Sequence, residues 1–293
     1  MQAVVTWLVA RPLNAVLALA ATSSPYLGFL SSALMVLFVL RQGARTAMLQ
    51  AVMAAALLAG VALLVGTPVT LVFSVAIVFW LPAVLLATVL AMTRSLTLSL
   101  QVLVLVAVAG MLGFFLLVGD PTAFWETELQ AAAEVWRGLG AVELADQLTE
   151  GGELLAAQMT MLIVIMFWTM YAATFSLGYG LYKQSPGETA NYGRFRDLNF
   201  GRVIALIMAL CSLVAWFSGA VWLQNIAFVM FAVFWLQGLA IVHWMHAEKT
   251  LPTFAVVVVY LLMLPLSAAV IIALAVLGYI DAWFGLRRRA PAA

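Results

Sequence analysis

The chain has 293 residues, of which 66% are hydrophobic and only 9% charged, where a soluble domain carries about 25% charged residues. No water-soluble core hides that much apolar surface, and a net charge of +1 excludes bulk attraction to nucleic acid. The single cysteine, Cys211, excludes an intrachain disulfide and any thiolate metal cluster built by this chain alone.

Several apolar runs reach the roughly 18 to 20 residues that a helix needs to cross a bilayer, so the predicted class is an all-α, polytopic transmembrane helix bundle. The predicted spans are 3–22, 26–40, 47–66, 69–92, 96–118, 154–181, 203–220 and 222–246, followed by an apolar block at 252–285. They divide the chain into an N-terminal bundle (1–118), an acidic connection (119–153) and a C-terminal bundle with a basic tail (154–293), eight to ten spans in all. In the first span Arg11 lies inside the apolar run rather than ahead of it, which predicts a retained helix and not a cleaved signal. With Pro12 as a first-turn residue, Arg11 reads as an interfacial anchor. The third span carries a ridge of small residues, Ala51, Ala55, Ala59, Ala62 and Gly66. Such ridges let helices approach closely in lipid, here against an internal neighbour.

The connection 119–153 holds eight of the twelve acidic residues. Trp125, Leu129, Ala132, Trp136 and Leu139 recur at helical spacing and predict an external amphipathic helix, interrupted at Gly138 and Gly140 before a shorter helix at 141–149. A structural cap between spans five and six is the plain reading, and a lid over an outward-facing mouth is the functional one. Span six continues a polar seam from Gln158 through Thr169 and Ser176 to Gly180. Together with Ser23, Ser24, Gln224 and Asn225 near the outer ends of their spans, Gln158 and Thr169 form a candidate vestibule for a small polar ligand. Helix capping and interhelical hydrogen bonding explain the same residues without a ligand.

Eleven of the thirteen Lys and Arg residues fall in alternate connections or the tail, which the positive-inside rule assigns to the cytoplasm of a bacterial inner membrane, with the acidic connection outside. The stretch "NYGRFRDLNFGRV" at 191–203 is then a cytoplasmic connection. Its arginines are mainly topogenic, and Arg194, Arg196 and Arg202 are also candidates for docking a cytoplasmic partner. Lys249 and the Arg287–Arg289 cluster both belong inside, so 252–285 is expected to cross twice, breaking at Pro265 in "LPLS" and giving ten passes. His243 and His246 share a helical face, but a third ligand is missing and no metal site is predicted. Asp281 is expected to pair with Arg288; a proton-coupling role would need deeper burial. Neither a phosphate-binding Gly-x-x-x-x-Gly-Lys loop nor a hydrolase or protease motif is present, so neither an enzyme nor a cofactor is expected.

The segments "YGRFRDLNF", "LQGLAIVHWM" (236–245), "KTLP" (249–252), "LGYIDAWFGLRRR" (277–289) and "PYLGFLSSALMVLFVLRQGARTAMLQA" (25–51) resemble the YybS-like family of uncharacterised bacterial inner-membrane proteins. That resemblance implies a multi-pass inner-membrane protein and no defined activity. The first spans are also distantly similar to substrate-binding subunits of energy-coupling-factor transporters, although the first span lacks their Ala-x-x-x-Ala pattern. The expected function is binding or transport of a small solute without nucleotide hydrolysis by this chain, energised by a partner protein. The alternative is a membrane scaffold that docks cytoplasmic partners through the basic connections. In a Cys211→Ser background, Gln130→Cys is expected to react with an impermeant maleimide from the periplasm, and Ala190→Cys only after permeabilisation. The reverse pattern inverts the assignment of sides.

Overall fold

The computed structural model describes residues 2–24, 27–187, 189–263 and 266–288. Helices α1 (Gln2–Ala10) and α2 (Pro12–Thr22) meet at a 113° bend. Arg11 is extended there (φ −141°, ψ 142°), and Pro12 offers no N–H to carry α1 onward. The first predicted crossing is therefore a broken pair rather than one rod. Helix α3 (Gly28–Gln42) follows, buried without interruption from Ser31 to Val39. Helix α4 (Ala44–Val65) packs on α2 and α3 and buries Ala47, Ala51, Ala54 and Ala62. Of the predicted ridge, Ala51 and Ala62 face these internal neighbours, Ala55 and Ala59 are half-buried and Gly66 is exposed.

Helix α5 (Thr70–Val75), a π-helical turn (Ala76–Trp80) and α6 (Leu81–Thr93) make one continuous span. Trp80 in that turn is buried and donates its indole N–H to Ser31 Oγ at 2.8 Å. Helix α7 (Leu96–Val118) is followed by α8 (Pro121–Gly138) and α9 (Val142–Glu150), the predicted amphipathic pair. Asp120 caps α8 by accepting from the N–H groups of Thr122 and Ala123 at 3.0 and 3.2 Å, the usual role of an N-cap carboxylate. Trp125 donates to Thr160 Oγ1 at 2.7 Å, Phe114, Phe124 and Trp125 form one ring cluster, and Leu129 is buried. The far end of the predicted stripe is not covered: Trp136 and Leu139 are 42% and 71% exposed. Arg137 and Asp146 pair at 3.1 Å with both side chains about half exposed, which contributes little to stability.

Helix α10 (Gly152–Lys183) is followed by α11 (Gly201–Ser218), α12 (Val221–Ala232), α13 (Phe234–Ala247), α14 (Thr253–Leu262) and α15 (Ser267–Phe284). Among the described residues six stretches are long and apolar enough to cross a membrane, or seven if the bent α1–α2 pair counts as one. That is fewer than the eight to ten expected, for reasons of length. Helix α3 has 15 residues and α14 only 10, roughly 22 and 15 Å against about 30 Å of hydrocarbon. The apolar block 252–285 does divide near its middle, but Pro265, the predicted break, lies outside the described residues.

The chain folds as two compact units. One gathers everything up to Leu103 with Thr169–Phe195, and the other Val104–Trp168 with everything from Arg196 onward. In the second unit α12 and α13 form the continuous span Val221–Ala247, whose apolar stretch is 78% buried against 17–28% for the other spans. It is the central helix of that unit, and α15 packs on its α13 half. A Cβ on Gly238 would lie 1.9 Å from Leu274 O, and one on Gly278 2.1 Å from Phe234 O. As the position on α13 rises, the partner on α15 falls, so the two helices run antiparallel with their backbones in contact. Only glycine permits that approach. Gly238→Ala or Gly278→Ala is expected to force the helices apart and cost about 1–3 kcal/mol, read as a lower thermal midpoint in detergent. Gly110→Ala on α7, where an added Cβ meets nothing within 4 Å, is expected to be neutral.

Candidate functional site

The α13 sequence opens "FWLQGL", placing the amide of Gln237 at 0% exposure. A buried primary amide must find partners or lose the full cost of its desolvation. Gln237 Nε2 donates to Asp281 Oδ2 at 2.8 Å, and Gln237 Oε1 accepts from the Phe200 N–H at 2.7 Å. Asp281, on the last turn of α15, is 1% exposed, and its Oδ2 also accepts from Arg287 Nη2 at 2.7 Å. The guanidinium is held in turn by Arg196 O and Leu198 O, each at 2.7 Å. One cluster thus ties α13, α15 and the segment leading into α11.

Local chain geometry places Arg287. Helix α15 ends at Gly285, which adopts the left-handed conformation (φ 61°) and donates its N–H to Asp281 O at 2.8 Å. The chain reverses and a 3₁₀ turn (Leu286–Arg288) carries residue 287 back over the helix end. A carboxylate near a helix C-terminus faces the negative end of the helix dipole, and the guanidinium offsets both charges. Asp281 therefore pairs with Arg287, which the Gly285 turn brings back over the helix end; the sequence reading names Arg288. The Arg288 side chain and Arg289 lie outside the described residues.

Of the cluster, Gln237 lies inside a continuous membrane-crossing helix, while its partners lie at the start of α11 and the end of α15. Gln237 is 16 residues from Val221 and 10 from Ala247, roughly 24 and 15 Å along the helix. Phe200, fully buried, packs between Trp168 and Phe234 with ring centroids 6.2 and 5.9 Å away. The pair is weak evidence for stability, since desolvating two charges offsets much of their attraction. A buried charge in a membrane protein marks a functional candidate. One atom sharpens this: Asp281 Oδ1 is buried with no hydrogen-bond partner among the described residues. Asp281 lines a cleft of about 610 Å³ together with Asn199, Gly201, Arg202, Phe284 and Gly285. The cleft thus lies between the first turn of α11 and the last turn of α15.

Residues 13–282 match the model of a family of predicted membrane proteins, DUF2232. The chain belongs to that family. The matched stretch takes in Gln237 and Asp281 and stops short of Arg287. No curated protein and no solved structure matches the chain. Family membership places this chain among membrane proteins and assigns it no chemistry.

The residues singled out from the sequence are placed as follows. In the first unit Ser23 Oγ donates to Leu19 O at 2.5 Å and lies 3.3 Å from Ser31 Oγ, Ser24 Oγ accepts from the Leu27 N–H at 3.2 Å, and Thr169 is half-buried on α10. In the second unit Gln158 and Gln224 are exposed, and buried Asn225 donates to Ala157 O at 3.5 Å, tying α12 to α10 beside Gln158. Gln224 faces an apolar groove with Met208, Ser212 and Trp216. Of the arginines, Arg194 is exposed, Arg196 serves the cluster through its carbonyl, and Arg202 lines the cleft. His243 Nε2 meets Tyr260 Oη at 2.8 Å and His246 Nδ1 meets Leu251 O at 3.0 Å, so the two imidazoles have separate partners. Sequence reasoning passed over Gln237, whose only signal is a lone amide in the apolar run 226–242. Arg287→Ala leaves the Asp281 charge buried and alone, and is expected to cost about 3–5 kcal/mol in detergent unfolding. The double change Asp281→Leu with Arg287→Met is expected to recover most of that loss.

Proposed function

We propose that the protein binds a small polar solute in the cleft between α11 and α15 and takes part in moving it, with energy supplied by a partner and without chemistry by this chain. One observation carries the reading: Asp281, a carboxylate buried among the helices, lines a cleft, and its Oδ1 has no hydrogen-bond donor among the described residues. An unpaired acceptor in such surroundings loses its full solvation energy unless a ligand supplies the missing hydrogen bond. Across the cleft stand Arg202 and the first turn of α11, where backbone N–H groups favour negative charge. The solute that fits carries an ammonium or amide donor toward Asp281 and a carboxylate toward Arg202.

The charge pattern supports a bacterial inner-membrane setting with the basic connections inside. The scaffold reading has less behind it, because Arg202 belongs to the cleft and Arg196 contributes its carbonyl to the cluster. A thermal-shift panel of amino-acid-like zwitterions, with singly charged and neutral analogues, tests the proposal on the purified full chain. A zwitterion is expected to raise the midpoint. Arg202→Gln, which leaves the buried pair intact, is expected to lower apparent affinity about tenfold for one lost charge-assisted hydrogen bond. No stabilisation across the panel, or an unchanged response in Arg202→Gln and Asp281→Asn alike, overturns it.

A further inference from the structure

In the first unit the end of α10 carries three tyrosines' worth of construction that the solute cleft does not use. Tyr179 Oη accepts from the Tyr192 N–H at 2.9 Å and donates to Gly193 O at 3.1 Å, while Tyr182 Oη accepts from the Ala190 N–H at 2.8 Å. The rings of Tyr179, Tyr182 and Tyr192 gather with centroids 6.1–6.3 Å apart. The Leu96 N–H closes the arrangement by donating to Tyr192 O at 2.8 Å. These bonds fold the segment 190–195 back against the end of α10 and the start of α7 and fix it there. Such a loop would be mobile without them.

The fixed loop brings two cations to one hollow. A cleft of about 500 Å³ is lined by Lys183 from α10 and Arg194 from the loop, with Ser176, Asn191, Leu96 and Phe195 among its other walls. Among the residues lining it there is no carboxylate. Arg194 makes no hydrogen bond among the described residues, and Lys183 makes one long contact, 3.5 Å to Ala190 O. Arg94 adds positive potential nearby, acting on Tyr192. Two neighbouring cations with spare donors and no carboxylate among the described lining residues form an anion site, and a guanidinium beside an ammonium suits tetrahedral phosphate oxygens. Lys183 is the last residue of a membrane-crossing helix, the level at which lipid headgroups lie, and Leu96 and Phe195 give the hollow an apolar wall.

We propose that this cleft binds a phosphate anion, presented there as the headgroup of an anionic phospholipid. Basic pockets between helices at the membrane surface recognise anionic headgroups in this way. The site is independent of the solute cleft and stands or falls separately from it.

The test uses full-length protein in zwitterionic detergent, titrated with phosphatidylglycerol, phosphatidylcholine or inorganic phosphate, with the unfolding temperature as readout. Phosphatidylglycerol is expected to give a saturable rise that phosphatidylcholine does not. Lys183→Gln with Arg194→Gln is expected to weaken the apparent affinity on the order of thirtyfold, while Lys183→Arg with Arg194→Lys keeps it within a few-fold. If inorganic phosphate reproduces the rise with the same dependence on both residues, the phosphate chemistry holds and its source is soluble. The proposal is overturned if wild-type protein responds to neither phosphatidylglycerol nor phosphate beyond phosphatidylcholine, a result that needs no variant to fold. It is equally overturned if the double glutamine variant responds as wild type does.

Discussion

A carboxylate in an apolar interior must be neutralised by its surroundings or stay protonated, and much of the second unit is arranged around that demand at Asp281. Its Oδ2 draws Arg287 from beyond the helix end and Gln237 from α13. Gln237 in turn holds the Phe200 N–H, and Arg287 holds two carbonyls of the segment 196–198. Two charges and one amide therefore fix where α11 begins relative to α13 and α15. Apolar packing alone would not do this. Lipid tails are as apolar as leucine, so burying more leucine gives helices little reason to choose one neighbour over another.

Close packing makes the polar cluster possible. Gly238 is adjacent in sequence to Gln237, and Gly278 lies one turn before Asp281. With the two backbones touching at the glycines, short side chains on either flank meet directly, and no water is needed between them. The same geometry gives the pair its asymmetry. Both donors converge on Oδ2, and Oδ1 has no partner among the described residues. One oxygen of the carboxylate thus anchors the helices, and the other is left for the proposed ligand.

Much of this architecture was legible in the sequence. Composition fixed the membrane class, and helical spacing from Trp125 to Leu139 located α8 and its interruption at Gly138 and Gly140. What escaped had physical causes. Hydropathy measures how apolar a run is and not its direction, so 3–22 read as a rod although it turns by 113° at Arg11. Gln237 escaped because one amide in an apolar run looks the same whether it joins two helices or supports a charge. Asp281 drew notice, but its pairing with Arg287 was not foreseen, since reach beyond a helix end depends on the turn at Gly285 and not on spacing. The tyrosine assembly around 179–192 depends on a loop folding back, and no periodicity records that.

The chain reversal at Gly285 also bears on the order of assembly. Arg287 follows in sequence every helix whose charge it balances, so a ribosome delivers Asp281 before the counter-ion and Gln237 some fifty residues before it. The carboxylate therefore gains its counter-ion only when the chain beyond Gly285 has turned back. Closure of this unit waits on that reversal, however early its other helices have met.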